Sequence, residues 1–564
     1  MEMTLSFVKI LRPLIMTMLL VLSLSEVSAQ SQKTNHKKVI TFFSKAKEYF
    51  QRDNVKSLEN VNKALKYDER YTDALLLKAE LCLEMNDDSM AICSYERLFE
   101  IDSTAYPRGA MSLSRLYAKY HQFDKSINIL EWYLSLDNQK ETVREYAEKQ
   151  LMLTRFRKSL VGNPVDYNPK NIGNIVNTAD DEYVNQIYHA ENKLIFTKRY
   201  NSETKSYLEE NVFVSNMYDS LWSIPRLLFD AIDDVGAANI SSDGKELYFS
   251  GCGWADGAGS CDIYLMRFIN GKWSNPINIT TINTTDWESQ PCVSFDGNSL
   301  YFVRRNKRTG TSDIYVSHRN ENGSWDSPHK LNSNINTEGN EMAPFIHYDD
   351  MTLYFSSDTH DGMGGYDLFI SRRDERGEWG KPINLGYPLN TDGDEMNLVV
   401  ASDAKSAYIS AKRDDGYGAY DIYSFDLDER FRPHYIENEA VSDYDYALNN
   451  DVSVILKDIN FEFDSAELTQ DSYEGISRLI DFLVSHDDVN IELSGHTDDM
   501  GDAEYNISLS ERRAESVRRA LVEGGVSLER IIIKGCGATQ PLFPNDSDRH
   551  RALNRRVEMR FVNL

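Results

Sequence analysis

The chain has 564 residues, 61 Lys and Arg against 89 Asp and Glu, and a formal net charge of −28. At ~100–200 residues per domain this length points to three to five domains. So acidic a chain lacks the basic face that phosphate binding needs, which excludes a general nucleic-acid binder, and it opposes docking to anionic lipid. Six cysteines in so long a chain cannot form a disulfide scaffold.

Lys9 and Arg12 make a positive start, and Leu14–Leu24 is an apolar run of eleven residues. A bilayer span needs ~20. Val27-Ser28-Ala29 supplies the small-x-small pattern of a signal-peptidase site, so residues 1–29 read as a signal peptide cut before Gln30. The expected mature protein is exported to the periplasm and has no transmembrane span, and with no cysteine in residues 1–36 a lipid-modified N-terminal cysteine is not expected. Disulfides are permitted in that compartment.

Residues 36–160 read as helix, with few Gly or Pro. Three segments recur, Ala64–Asp68, Leu98–Asp102 and Tyr133–Asp137, and their Asp residues are 34 and 35 apart. That is the period of a helix-turn-helix unit, which must stack on its neighbours because it cannot bury its apolar face alone. Ala79, Leu83, Tyr117 and Tyr120 fall at expected packing positions. The segment resembles the tetratricopeptide repeat family, which implies an all-α solenoid with a concave surface for a protein partner. Cys82 and Cys93 fall on the two helices of one predicted hairpin; they either pair or remain buried thiols.

Across residues 165–433 Gly, Asn, Asp and aromatic residues become frequent. A strand signal recurs at Leu194–Thr197, Leu247–Ser250, Leu300–Val303, Leu353–Ser356 and Ala407–Ser410, at intervals of 53, 53, 53 and 54 residues. A second follows each: Asn211–Phe213, Asp262–Tyr264, Asp313–Tyr315, Asp367–Phe369 and Asp421–Tyr423. The third is Trp with Pro three residues on: Trp222/Pro225, Trp273/Pro276, Trp325/Pro328 and Trp379/Pro382, with Phe431 and Pro433 as a decayed fifth copy. Ser242-Asp243-Gly244 and Phe295-Asp296-Gly297 are tight turns. Five copies of a four-stranded unit predict a five-bladed β-propeller, since radial repetition leaves only short, protected edges. A sixth blade from residues 161–190 or 433–450 is the alternative. The repeats resemble the PD40 (WD40-like) family, also found in the propeller of TolB. Cys252 and Cys261 bracket a Gly-rich loop between two predicted strands, close enough in paired strands to bridge. Cys292 and Cys536 read as structural.

No HExxH, Cys/His cluster or G-x-S-x-G motif occurs, so no catalytic residue, metal site or cofactor is expected. The recurring Asp262, Asp313, Asp367 and Asp421 could ring a metal, but their fixed place before each strand favours a turn role. Residues 434–450 read as a polar, acidic linker.

Residues 451–564 alternate strand and helix, which implies an α/β (α+β) domain with helices packed on a small mixed sheet. Strands are expected at Asp458–Asp464, Asn490–Ser494, Arg530–Lys534 and Arg556–Phe561. Helices are expected over 471–485, with Ile476, Leu479, Ile480 and Leu483 inward, and over 503–522, with Leu509, Val517 and Leu521 inward. Gly495–Gly501 (GHTDDMG), Asn506, Leu509–Ala514 (LSERRA), Phe461–Ser465 (FEFDS) and Asn554–Glu558 (NRRVE) together resemble the OmpA-like peptidoglycan-binding family, which includes Pal and MotB. The family's ligand is the diamino acid of the stem peptide, commonly diaminopimelate, whose free centre is a zwitterion. By that resemblance Asp498 takes the ammonium and Arg513 the carboxylate, a role that suits the planar guanidinium fork. Thr497 and Asn506 shape the loop, and Arg555 and Arg556 brace the sheet.

The expected protein is a non-enzymatic periplasmic adaptor associated with the outer membrane. Its C-terminal domain would hold peptidoglycan, and its propeller and helical repeats would hold envelope proteins. The domain order is similar to cell-wall-tethered proteins of Bacteroidetes-type envelopes. These include the peptidoglycan anchor of the type IX secretion and gliding apparatus, whose lipidated cysteine and extra β-domain this sequence lacks. The other class is a cell-wall hydrolase or other propeller enzyme guided to peptidoglycan.

Overall fold

The computed structural model describes residues 36–562, apart from 138, 189–192, 202–207, 230–231, 233, 270–271, 435–443, 445–446, 449–452 and 463–464. The expected signal peptide lies outside the described residues, as do most of the expected linker and Phe463 and Asp464 of the C-terminal motif. Two compact units emerge. One ends at Pro164 and includes Asp361–Met363; the other holds the remaining residues from Val165 onward.

The first unit is helical: α1 (Lys37–Tyr49), α2 (Asn54–Tyr67), α3 (Thr72–Glu84), α4 (Asp88–Ile101), α5 (Gly109–Lys119), α6 (Phe123–Leu134) and α7 (Glu141–Gly162). A left-handed residue turns the chain between α1 and α2, α3 and α4, and α5 and α6. These are Gln51, Asn86 and His121, at φ 64°, 58° and 54° and 35 residues apart. Two of the recurring Asp residues mark the opposite turn. Asp68 and Asp102 end α2 and α4, and the Asp102 carboxylate accepts the Thr104 N–H at 2.9 Å. Ala79 and Tyr117 are buried, as the packing argument expects. Tyr120 is not: it is 48% exposed, because it caps α5 beyond the packed face, and its hydroxyl bonds Asp88 at 3.0 Å. Cys82 is buried, Cys93 exposed, and neither is bridged.

In the second unit β1 (Lys170–Asn171) precedes five antiparallel sheets. Sheet I holds β2 (Asp181–Tyr188), β3 (Lys193–Asn201), β4 (Leu208–Tyr218), β5 (Leu221–Trp222) and β6 (Arg226–Leu227). Sheet II holds β7 (Val235–Ile240), β8 (Glu246–Cys252), β9 (Cys261–Ile269), β10 (Lys272–Trp273) and β11 (Ile277–Asn278). Sheet III holds β12 (Trp287–Val293), β13 (Ser299–Arg305), β14 (Ser312–His318) and β15 (His329–Lys330). Sheet IV holds β16 (Glu341–Ile346), β17 (Thr352–Ser357), β18 (Asp367–Arg372) and β19 (Ile383–Asn384). Sheet V holds β20 (Glu395–Val400), β21 (Ser406–Ala411) and β22 (Asp421–Asp426), with β1 paired to β22 at its outer edge. Residues 161–190 therefore give one strand to sheet V and one to sheet I; among the described residues they build no further sheet.

Three of the Trp markers are joints between sheets, while Trp273 packs edge-on against Phe268 of its own sheet. Trp325 meets Tyr248 of sheet II edge-on, Trp379 meets Tyr301 of sheet III, and Trp222 meets Tyr408 of sheet V, with ring centroids 5.9, 6.2 and 6.2 Å apart. Arg319 and Arg373 lie over Trp325 and Trp379, adding a cation–π contact. Phe431 stands in the fifth copy, and the Tyr354 hydroxyl donates to its carbonyl at 2.6 Å.

The sheets share a further repeat, Asn-Thr with Glu four residues after the Thr. It occurs at Asn177/Thr178/Glu182, Asn283/Thr284/Glu288, Asn336/Thr337/Glu341 and Asn390/Thr391/Glu395. Each Asn side chain accepts from one backbone N–H of a third strand and donates to the same residue's carbonyl. The clamped residues are Ile422, Ile263, Ile314 and Leu368. Each Thr hydroxyl donates to its fully buried Glu at 2.5–2.7 Å. The clasp from Asn177 to Ile422 joins residues 245 apart. Backbone N–H groups of first strands also donate to side chains of the neighbouring sheet: Ile240 to Gln186, Val293 to Asn239 and Ala343 to Gln290, each between first strands, and Val184 of β2 to Ser410 of β21. Each first strand carries a register shift, and Ala237, Gln290, Ala343 and Asn397 sit there at positive φ. They line a cavity of about 30 Å³, room for a water or two.

The C-terminal part packs α8 (Ser472–Ser485), α9 (Ala503–Glu523) and α10 (Asp548–Asn554) with a mixed sheet of β23 (Val454–Ile455), β24 (Asn490–Gly495), β25 (Ile531–Gly535) and β26 (Val557–Val562). The order is β23-β26-β24-β25, with only β24 and β25 parallel. Ile476, Leu479, Leu483, Leu509, Val517 and Leu521 are buried. The strand expected at Asp458–Asp464 is displaced: β23 lies upstream of it. Phe461 makes only a single bridge to Leu468, in a short hairpin closed by Glu462 N–H to Glu467 O. Ala447, within the expected linker, is fully buried in this core, with Tyr444 and Leu448 packed against it.

Candidate functional site

The site forms where β24 ends against the first half of α9. A Cβ on Gly495 would lie 2.0 Å from the Ser510 carbonyl oxygen, so only glycine lets the strand end approach the helix so closely. Beyond it the chain runs through His496, Thr497 and Asp498, all buried. The Thr497 N–H bonds the Gly537 carbonyl at 2.9 Å. Asp502 caps α9 by accepting the Tyr505 N–H at 2.9 Å.

Asp498 is 8% exposed. One carboxylate oxygen accepts the Met500 N–H at 3.1 Å. The other accepts Arg555 Nη1 at 2.6 Å. Asn506 donates from Nδ2 to the carbonyls of Asp498 and Met500, at 3.4 and 3.0 Å, and so pins the loop to α9. Arg513 lies two turns further along the same helix face, ~10 Å by the helical rise, and is 4% exposed. Its Nε donates to the Ser465 carbonyl at 3.0 Å, and its guanidinium sits 5.2 Å from the Phe461 ring centroid. Thr497 and Asp498 thus lie in one loop that Asn506 of α9 holds, while Arg513 reaches in beside the Phe461 hairpin. The arrangement offers a buried carboxylate, the buried Arg513 guanidinium and the exposed Arg555 guanidinium within one module, suited to a ligand that carries both charges.

Arg555 is the residue the sequence reading misplaced. Arg556 does brace the sheet: it pairs with Glu558 at 2.6 Å and donates to the Gln540 carbonyl. Arg555 instead holds Asp498. Alternation was the available signal, because Arg556 and Glu558 share one strand face and Arg555 must point the other way. His496 is 1% exposed, and neither ring nitrogen has a hydrogen-bond partner. Burial, then the neighbouring Arg556, push its pKa down to about 4.

Cys252 and Cys261 are disulfide-bonded across β8 and β9. Cys292 and Cys536 are buried free thiols. The recurring Asp residues serve their loops. Asp262, Asp367 and Asp421 accept backbone N–H groups from the Gly-rich turns before their strands, and Asp313 pairs with Lys330. Among the described residues no three His, Cys, Asp or Glu side chains are grouped to hold a metal. No described helix is long and apolar enough to cross a membrane.

Residues 460–555 match the model of the OmpA family. Outer membrane porin F of Pseudomonas fluorescens is 41% identical over 101 residues, 18% of this chain and 31% of that protein. The peptidoglycan-associated lipoprotein of Legionella pneumophila is 33% identical over 98 residues, 17% of this chain and 56% of that protein. The crystal structure of the peptidoglycan-associated lipoprotein from Burkholderia pseudomallei is 31% identical over 18% of this chain and 88% of that chain, with a TM-score of 0.18. The chain therefore spans about a third to about half of the length of these curated relatives.

Proposed function

We propose that the chain is a non-enzymatic periplasmic adaptor that ties an envelope assembly, such as a type IX secretion or gliding apparatus, to the cell wall. The C-terminal module grips the peptidoglycan stem peptide: Asp498 takes the ammonium of the diamino acid, Arg513 its carboxylate, and Thr497 and Asn506 hold the loop in shape. The five sheets act as a five-bladed propeller, with β1 and the clasp from Asn177 to Ile422 joining the first blade to the last. This propeller and the tetratricopeptide-like helices carry the protein partners. The observation that carries the reading is Asp498, a buried carboxylate held ready at the end of β24, inside the stretch that matches the OmpA family and its peptidoglycan-associated relatives.

Hydrogen bonds to charged groups contribute ~1.5–3 kcal/mol each. Two such contacts give an affinity of about micromolar to millimolar, sufficient for a polymer that presents its ligand repeatedly. The test is sedimentation of the full chain with purified sacculi. Asp498→Ala and Arg513→Ala are each expected to weaken retention by about ten-fold or more. Equal retention of the wild type and both variants would sink the site assignment.

A further inference from the structure

Within the second unit the C-terminal module rests on sheet I. The Ile224 N–H donates to the Leu542 carbonyl at 2.7 Å. Tyr218 meets Phe543, itself fully buried, edge-on at 6.4 Å. Arg549 forks onto Asp219 in the tight turn after β4, with Nη2 at 2.7 Å from both the carboxylate and the carbonyl oxygen. Asp219 and Ser220 hold positive φ there, 50° and 62°, which turns the Asp219 backbone and side chain toward one arginine.

The segment that makes these contacts also delivers Arg555. Asn554, fully buried at the end of α10, accepts the N–H groups of Leu542 and Phe543 at 2.8 and 3.0 Å and donates to the Phe543 carbonyl at 2.9 Å. Arg551 ties α10 to the Asn545 carbonyl at 2.7 Å. The docking loop and α10 are therefore one rigid piece, and the next residue is the Arg555 that engages Asp498. A buried, fully bonded amide leaves such a piece no soft joint at which movement could be absorbed.

We propose that Asp219 and Arg549 are positioning residues for the ligand site: by seating α10 on sheet I they set where Arg555 stands against Asp498, and hence how readily Asp498 accepts a ligand ammonium. The inference rests on the peptidoglycan reading of Asp498. It makes wall binding dependent on the fold of sheet I, through a contact far from the ligand.

The test uses the full chain and a soluble disaccharide tripeptide carrying meso-diaminopimelate, with affinity measured by calorimetry. Asp219→Arg and Arg549→Asp put like charges together at an exposed pair. Each is expected to change the affinity about two- to five-fold, the range of an exposed ion pair. The reversed pair, carrying both substitutions, restores the wild-type affinity. In an Arg555→Met background the Arg549→Asp effect vanishes. Single variants that bind as the wild type, while Asp498→Ala loses binding, would overturn the coupling and leave the site intact. So would an Arg549→Asp effect that persists without Arg555, or one that the reversed pair does not restore. Wild type and Asp498→Ala binding the tripeptide equally would instead overturn the site reading, and the coupling with it.

Discussion

The five sheets and the C-terminal module handle buried charge in opposite ways. In the sheets the buried carboxylates are structural and mostly held by neutral donors. Burial pushes Glu182 and Glu395 up to about 7, close to taking up a proton, and raises Glu341. In the C-terminal module Asp498 is buried against a guanidinium, and the buried base beside it, His496, is pushed down rather than up. In the repeated scaffold a threonine, present in every copy of the clasp, gives each buried acid a neutral hydrogen-bond donor, and burial still raises the pKa of Glu182, Glu341 and Glu395. At the candidate site the buried carboxylate is paired with a cation instead.

The largest effect that would break this comparison is on the scaffold core. Phe302 is fully buried in sheet III, and Phe302→Ala should cost about 3–5 kcal/mol. Calorimetry should show the five-sheet transition falling while that of the C-terminal module stays in place; equal shifts in both would mean that the two regions melt as one.

The next effect is on pH, where the two regions should differ in sign. A carboxyl raised to about 7 binds its proton in the folded state before the unfolded one, so stability is full below ~4.5 and is lost as pH rises to about 7. The cost is up to about 3 kcal/mol for each of Glu182 and Glu395. Lys198 and Asp421 act on the first, and Arg413 and Asp367 on the second. His496 runs the other way. Its folded pKa is depressed, so the unfolded chain binds the proton first and the C-terminal module loses up to about 3 kcal/mol as pH falls from ~6.5 to about 4. Arg556, Glu558, Arg226 and Lys534 surround it. Urea melts of wild type, Glu395→Gln and His496→Gln between pH 4 and 7.5 measure both slopes; slopes of one sign would undo the contrast.

Smallest is the disulfide. Cys252 and Cys261 are nine residues apart, and opening so short a loop by Cys252→Ser should cost about 2–3 kcal/mol. That loss should appear in the five-sheet transition alone, and any change in sacculus retention would contradict the division of labour.

Much of this was written in the chain. Periodicity fixed the helical segment, the five copies of the sheet unit and the inward faces of α8 and α9, because spacing reports which face is buried. The three markers were visible as repeats, yet their purpose was not. Trp325, Arg319 and Tyr248 form one joint only when sheets II and III lie side by side, and the Asn clasps, three of them 20–22 residues long, close only once the loop folds back on the third strand. The pairing of β1 with β22 is likewise invisible to any local pattern.

The same limit held at the site. Sequence alone named the candidate residues, Thr497, Asp498, Asn506 and Arg513, because they fall in a local motif that resembles the OmpA-like family. It could not determine that Arg555 holds Asp498, or that Asn554 ties that arginine to a loop resting on sheet I. The Arg555–Asp498 pair and the Arg549–Asp219 pair that seats α10 on sheet I join residues 57 and 330 positions apart, and hydrogen bonding depends on separation in space, which only the packed chain defines.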